Sequence, residues 1–235
     1  MHYLGGKSGI AKDIAMIINK KISGGVTFVS LFCGALSVES QIVGASRMIL
    51  NDKHKYLIAM LRAVQNGYDL PEKITEEEYN DIKANRDRDI VLSGFVGFAC
   101  SFGGKWLDTY AKDREGKVNY ALRNKKSLLR KMATLKNAEF VNADYRDVII
   151  PPQSIIYADP PYENTVGYTV GKFDSTEFWE YMRQLTREGH TVFVSEQNAP
   201  DDFKCVWEKQ VSRSINYHGD KRTHKTEKLF MIVDK

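Results

Sequence analysis

Residues 26–32 read VTFVSLF, a short run that is apolar on both of its alternating faces except at Thr27 and Ser30. A strand of that kind must be covered on both sides, and an all-parallel sheet flanked by helices is the usual way to do it. The flanks agree. Residues 8–21 place Ile10, Ala11, Ile14, Ala15, Ile17 and Ile18 on one helical face, and Gly24-Gly25 stops the helix. After the strand, Cys33-Gly34-Ala35 reads as a tight turn into a second helix around 37–45. A strand is expected at 47–51 and a helix at 53–65, closed by Gly67. This βαβα opening predicts an α/β fold with a doubly wound sheet.

The middle of the chain reads differently. Thr75 followed by Glu78 is a capping box that should start a polar helix. Residues 90–100 and 118–136 read as further helices, and 101–106 as a glycine-rich aromatic loop. No strand pattern is visible between about 54 and 137, so this stretch is read as a mostly helical insertion. The α/β rhythm then returns, with strands expected at 139–143, 154–158 and 191–195 and a helix at 174–188. Late strands are expected at 203–211, 213–217 and 229–233, with a polar loop over 218–228.

The strongest chemical signal is Asp159-Pro160-Pro161-Tyr162, directly after the apolar run 154–158. Ligands of open α/β sheets bind beyond the carboxyl ends of the strands, where this tetrapeptide falls. Two prolines stiffen the loop and donate no hydrogen bonds, so its carbonyls stay free to accept them. An exocyclic amine can be held there, its two hydrogens given to the Asp159 carboxylate and the Pro160 carbonyl. Its lone pair is then aimed at an electrophilic methyl while Tyr162 stacks on the base. A base in a duplex must first be flipped out of the stack. The plainer alternative is an Asp-Pro surface turn.

With these residues in view, the chain resembles the Dam-type DNA adenine methyltransferases of bacteria and their phages. Tyr3-Leu4-Gly5-Gly6-Lys7 is similar to the family's opening motif, Phe28 to Gly34 to its cofactor strand and turn, Asn51-Asp52 to the next strand end, and Asn142 to Tyr145 to a further cofactor segment. The resemblance implies a Rossmann-like S-adenosylmethionine-dependent methyltransferase sheet. Its catalytic domain would span 1–54 and 137–235, with a target-recognition insertion at 55–136. Asp159, Pro160, Pro161 and Tyr162 would be catalytic, and S-adenosylmethionine would lie on Tyr3, Gly6, Lys7, Phe32, Gly34, Asp52, Asp144, Tyr145 and Asp159. Asp52 would hold the ribose hydroxyls and Asp144 the cofactor's adenine amino group. One departure stands out. The family has an acid where this chain has Ser30 and a glycine-rich turn where it has Gly34-Ala35-Leu36; Glu39 is placed to compensate from the following helix.

Net charge is +4, a mild basic bias that fits a nucleic-acid partner without requiring one. Residues 117–136 hold seven lysines and arginines and no acid, a stretch that can neutralise phosphates or simply form a solvated face. Arg123, Lys125, Lys126 and Arg130 are candidate DNA contacts, with Arg123 and Asn124 able to reach base edges. Lys105 in the aromatic loop, Lys221 and Arg222 in a second basic loop, and His2 complete the set, and double-stranded DNA is the expected partner. The three cysteines are widely spaced and form no CxxC, which argues against disulfides and a zinc site. No run approaches the roughly 18 apolar residues of a membrane span. A cytoplasmic monomer in a bacterial cell or phage-infected host is expected, with or without a partner restriction nuclease, and GATC is a first site to try. Two rival readings remain: an RNA or protein-amide N-methyltransferase, and an inactive methyltransferase fold kept for DNA binding.

Overall fold

The computed structural model describes residues 6–113, 115–161, 173–212 and 224–232. Among the described residues seven strands form one sheet: β1 (Thr27–Ser30), β2 (Arg47–Asn51), β3 (Glu139–Val141), β4 (Ile155–Ala158), β5 (Thr191–Glu196), β6 (Phe203–Ser212) and β7 (His224–Ile232). Their order is β3-β2-β1-β4-β5-β7-β6. The first five are parallel; β7 runs antiparallel between β5 and β6. The fold is therefore the expected α/β class, a Rossmann-like sheet with a long antiparallel hairpin at one edge. Strand order reverses between β1 and β4, and the crevice beyond their carboxyl ends is where such sheets bind ligands.

Side chains alternate along the strands and divide the core in two. Phe28, Leu50, Ile155, Tyr157, Phe193 and Leu229 face α1 (Ala11–Asn19), α2 (Lys55–Gln65), α4 (Ile90–Ala99) and α5 (Tyr120–Met132). Val29, Leu31, Ile49, Ile156, Val192 and Val194 face α6 (Ser175–Arg187) and Tyr145. The helical stretch thus shares a core with the sheet. It includes α3 (Glu76–Ala84), opened by the expected capping box: Glu78 N–H donates to Thr75 Oγ1 at 3.2 Å and Thr75 N–H to Glu78 Oε2 at 2.7 Å. Two glycines let α4 approach its neighbours. A Cβ at Gly94 would strike the α2 carbonyl of Tyr56, and one at Gly97 the Trp106 indole.

Two sequence expectations are corrected. The helix expected over 37–45 is only a 3-10 turn, Glu39–Gln41; Ile42 is extended and Gly44 takes φ +83°, so helical hydrogen bonding cannot propagate. The expected polar loop over 218–228 already belongs to β7 from His224. The strand expected over 213–217 lies outside the described residues. No helix among the described residues is long and apolar enough to cross a membrane, and none of their His, Cys, Asp and Glu side chains cluster as a metal site.

Candidate active site at the carboxyl ends of β1 and β4

Asp159 follows β4 directly, with its side chain one-fifth exposed. Lys7 Nζ donates to Asp159 Oδ1 at 2.6 Å although 152 residues separate the two in sequence. The Lys7 side chain is itself only 5% exposed, so the ammonium is buried on the carboxylate. Burial pushes the Asp159 carboxyl above its usual range, and Lys7 opposes that shift. Pro160 is buried beside it and Pro161 half-buried. Tyr162, Tyr3, His2, Lys221 and Arg222 lie outside the described residues.

The β1 turn forms the neighbouring wall. Gly34 N–H donates to Asp52 Oδ2 at 3.0 Å, and His54 N–H to Asp52 Oδ1 at 2.9 Å. Asp52 is buried, and that burial raises its carboxyl to about 6. Asn51 donates to the Leu31 and Ala143 carbonyls, which ties the ends of β1, β2 and β3 together. Leu36 takes φ +58°, a conformation that favours glycine. The turn thus keeps a glycine-like path without the glycine, and the fully buried Leu36 side chain offsets a strain on the order of 1 kcal/mol.

Ser30 and Glu39 are in contact, Glu39 lying in the 3-10 turn that replaces the expected helix. Ser30 Oγ donates to Glu39 Oε1 at 2.8 Å, and both side chains are buried. Burial raises the Glu39 carboxyl to about 7, with Asp159 adding to the rise and Lys131 opposing it. Among the described residues no cation lies within ion-pairing distance of Glu39, whose hydrogen-bond partner is Ser30.

Asp144 sits farther along the crevice, paired with Lys53 at 2.9 Å and Arg146 at 2.7 Å. Those cations hold its carboxyl well below the usual range. Tyr145 and Phe32 meet with ring centroids 5.3 Å apart, in an aromatic group with Phe173 and Phe178. Gly6, next to buried Lys7, is exposed.

The DNA candidates separate into two groups. Arg123, Lys126 and Arg130 are exposed at spacings of three and four on α5, a single stripe, and Lys105 is exposed as well. Asn124 and Lys125 are not free to read bases. Asn124 is buried and donates to the Ala99 carbonyl at 2.8 Å; Lys125 is buried and pairs with Asp69 at 2.7 Å. The opposite face of α5 packs into the core, and a helical wheel drawn without partners could not show it. Lys131 was missed as a site residue. Its Nζ donates to the Ala35 carbonyl at 2.6 Å and to Ser37 Oγ at 3.0 Å, holding the β1 turn from α5.

Residues 3–90 match the family model of the D12 class N6 adenine-specific DNA methyltransferases. The match covers less than half of the chain. The matched residues hold Lys7, the β1 turn, Glu39 and Asp52, and the match supports the Dam-type resemblance. No curated protein matches the chain. Among solved structures it is similar to a tRNA (m1A58) methyltransferase of Aquifex aeolicus, at 11% identity and TM-score 0.41 over 94% of this chain and 67% of that one. A conserved hypothetical protein of Streptococcus pyogenes gives 9% identity and TM-score 0.41 over 94% of each chain. The C-terminal domain of a precorrin-6Y C5,15-methyltransferase of Rhodobacter capsulatus gives 7% and 0.35 over 94% and 86%. Likenesses this distant say nothing about substrate.

Proposed function

We propose that the protein is a site-specific DNA methyltransferase that transfers the methyl group of S-adenosylmethionine to N6 of an adenine flipped out of double-stranded DNA. The observation that carries the reading is the placement of Asp159 and Pro160 at the reversal point of the sheet, with Lys7 fixing one carboxylate oxygen. Lys7 occupies Oδ1. Among the described residues Oδ2 accepts nothing, so it is left to take one amino hydrogen while the Pro160 carbonyl takes the other. Holding both hydrogens aims the nitrogen lone pair out of the base plane, and near-attack positioning of this kind supplies much of the acceleration.

S-adenosylmethionine, when bound, supplies a methyl on a positively charged sulfur. The site's residues fit a cation-bearing ligand, because Glu39 is a buried carboxylate with no salt bridge in reach. Asp52 takes the ribose hydroxyls, Phe32 and Tyr145, in contact with each other, form one aromatic wall beside the adenine, and Glu39 stands in for the acid that Ser30 replaces. Bound there, the cofactor would give up that methyl with the S–C electron pair left on sulfur, and the amino group held by Asp159 and Pro160 would shed its surplus proton to water. The exposed stripe Arg123, Lys126 and Arg130 meets backbone phosphates from residues 55–136, which serve as the target-recognition insertion.

The test is incubation with labelled S-adenosylmethionine and unmethylated duplex DNA, followed by base-resolved mapping of N6-methyladenine, with Asp159→Ala in parallel. Label on adenine only with Asp159 intact is the expected result. Label on RNA or protein would overturn the substrate, and cofactor-free, label-free protein that still binds DNA would overturn the activity.

A further inference from the structure

The β7 segment Lys225-Thr226-Glu227-Lys228-Leu229 carries no chemistry in the reading above, yet it reaches the catalytic loop. Alternation along β7 puts Lys225, Glu227 and Leu229 on one face. Leu229 is fully buried in the core that also holds Tyr157 and α1, so Glu227 and Lys225 point toward the same side as Lys7. Lys225 Nζ lies 2.8 Å from Glu227 Oε1, and Glu227 Oε2 lies 3.9 Å from Lys7 Nζ. Lys7 Nζ in turn lies 2.6 Å from Asp159 Oδ1. The result is a row of alternating charge, Lys225, Glu227, Lys7, Asp159, with every side chain at most one-fifth exposed.

We infer that Glu227, braced by Lys225, is a positioning residue that seats the Lys7 ammonium on Asp159 and thereby fixes the carboxylate that receives the amino group. The inference rests on the proposed role of Asp159. Its physical basis is the cost of burying a flexible ammonium. A second carboxylate beside the ammonium restrains the four-carbon stem of Lys7 further and helps offset the desolvation of the charges. Among the described residues, the other titratable groups around the row are Glu196 on β5, which its own burial, with Asp159 adding to it, pushes up to about 7, Tyr157 on β4, whose hydroxyl is 2.9 Å from Ser195 Oγ, and Glu39.

Positioning and mere proximity predict opposite signs. Glu227 as a through-space negative charge raises the Asp159 pKa, so removing it should lower that pKa. Glu227 as the group that seats Lys7 protects the Asp159 charge, so removing it should raise the pKa as Lys7 is released. The measurement is a 13C-carboxyl NMR titration of the protein labelled at aspartate, with Asp159 assigned through Asp159→Asn. Glu227→Gln is expected to raise the Asp159 pKa, and Glu227→Asp, which keeps the charge but shortens the reach, to raise it too. In a Lys7→Met background, Glu227→Gln should give no further rise. A fall in Glu227→Gln with no change in Glu227→Asp would overturn the inference. Single-turnover methyl transfer should drop about tenfold in both variants. The titration needs no substrate, so a chain that methylates no adenine but shows the expected rises would overturn the proposed function and support the Lys7 assignment.

Discussion

The floor of the crevice and the surface of α5 are both rich in charge, and they treat it in opposite ways. In the floor, Lys7, Glu39 and Asp52 are buried, and burial moves the Glu39 and Asp52 carboxyls upward by a large margin. On α5, Arg123, Lys126 and Arg130 stand in water, while Lys125, though buried, is neutralised beside its own helix by Asp69 and Glu72. Charge kept out of water at a cost marks a site prepared for a ligand. Charge left in water costs little, and by itself says only that a polyanion would be welcome.

The largest test of this contrast is Asp159→Ala. It should cut methyl transfer by at least about a hundredfold, as loss of a directly engaged polar group does, while cofactor binding by calorimetry changes far less. Comparable loss at saturating DNA from neutralising the α5 stripe would erase the distinction. Next comes Glu39→Gln, with two expected outcomes of opposite sign. Affinity for S-adenosylmethionine should fall about tenfold, roughly 1.4 kcal/mol. The apoprotein should become more stable at pH 8, by on the order of 2 kcal/mol. The Glu39 carboxyl titrates at about 7 when folded against 4.5 when exposed, so the folded state favours its proton. Its ionisation is destabilising above pH 7, and the advantage of the glutamine should fade as pH falls from 7 toward 4.5. Thermal melts of both proteins across pH 5 to 8 check the sign.

A smaller effect is expected from Arg123→Ala, Lys126→Ala and Arg130→Ala together. DNA affinity should weaken uniformly across sequences, and the salt dependence should lose about one unit of slope for each phosphate contact removed. Cofactor affinity should not move. The smallest functional effect belongs to Asn124→Ala. Sequence preference should be unchanged, while stability drops by about 1–2 kcal/mol as the buried Ala99 carbonyl loses its donor. A change of preferred sequence would return Asn124 to the DNA interface.

The same contrast explains what could be read from sequence. The strands β1, β2, β4 and β5 were legible because a run that is apolar on both faces has few places to go. The position of Asp159 was legible because its pattern is local, a carboxylate and prolines directly after an apolar strand. The Lys7–Asp159 pair was not, since no pattern in one chain connects residues so far apart. The start of β7 was hidden because Lys225 and Glu227 look solvated in sequence and are in fact paired indoors. Asn124 and Lys125 misled for the converse reason: their polarity reads as surface, and only the packing of α5 against Ala99 and Asp69 reveals otherwise. Lys131 sat in the same basic run, with nothing to mark that it reaches the β1 turn.

Leu36 has one more consequence. A glycine at that position would let the turn bend and recover by itself. Here the unusual backbone angle is held only because the side chain is clamped in the hydrophobic interior. The pocket wall therefore has no private way to open. Its amides should exchange with solvent only when the whole domain unfolds, so the loss of ligand-binding shape and the melting of the protein should be one event.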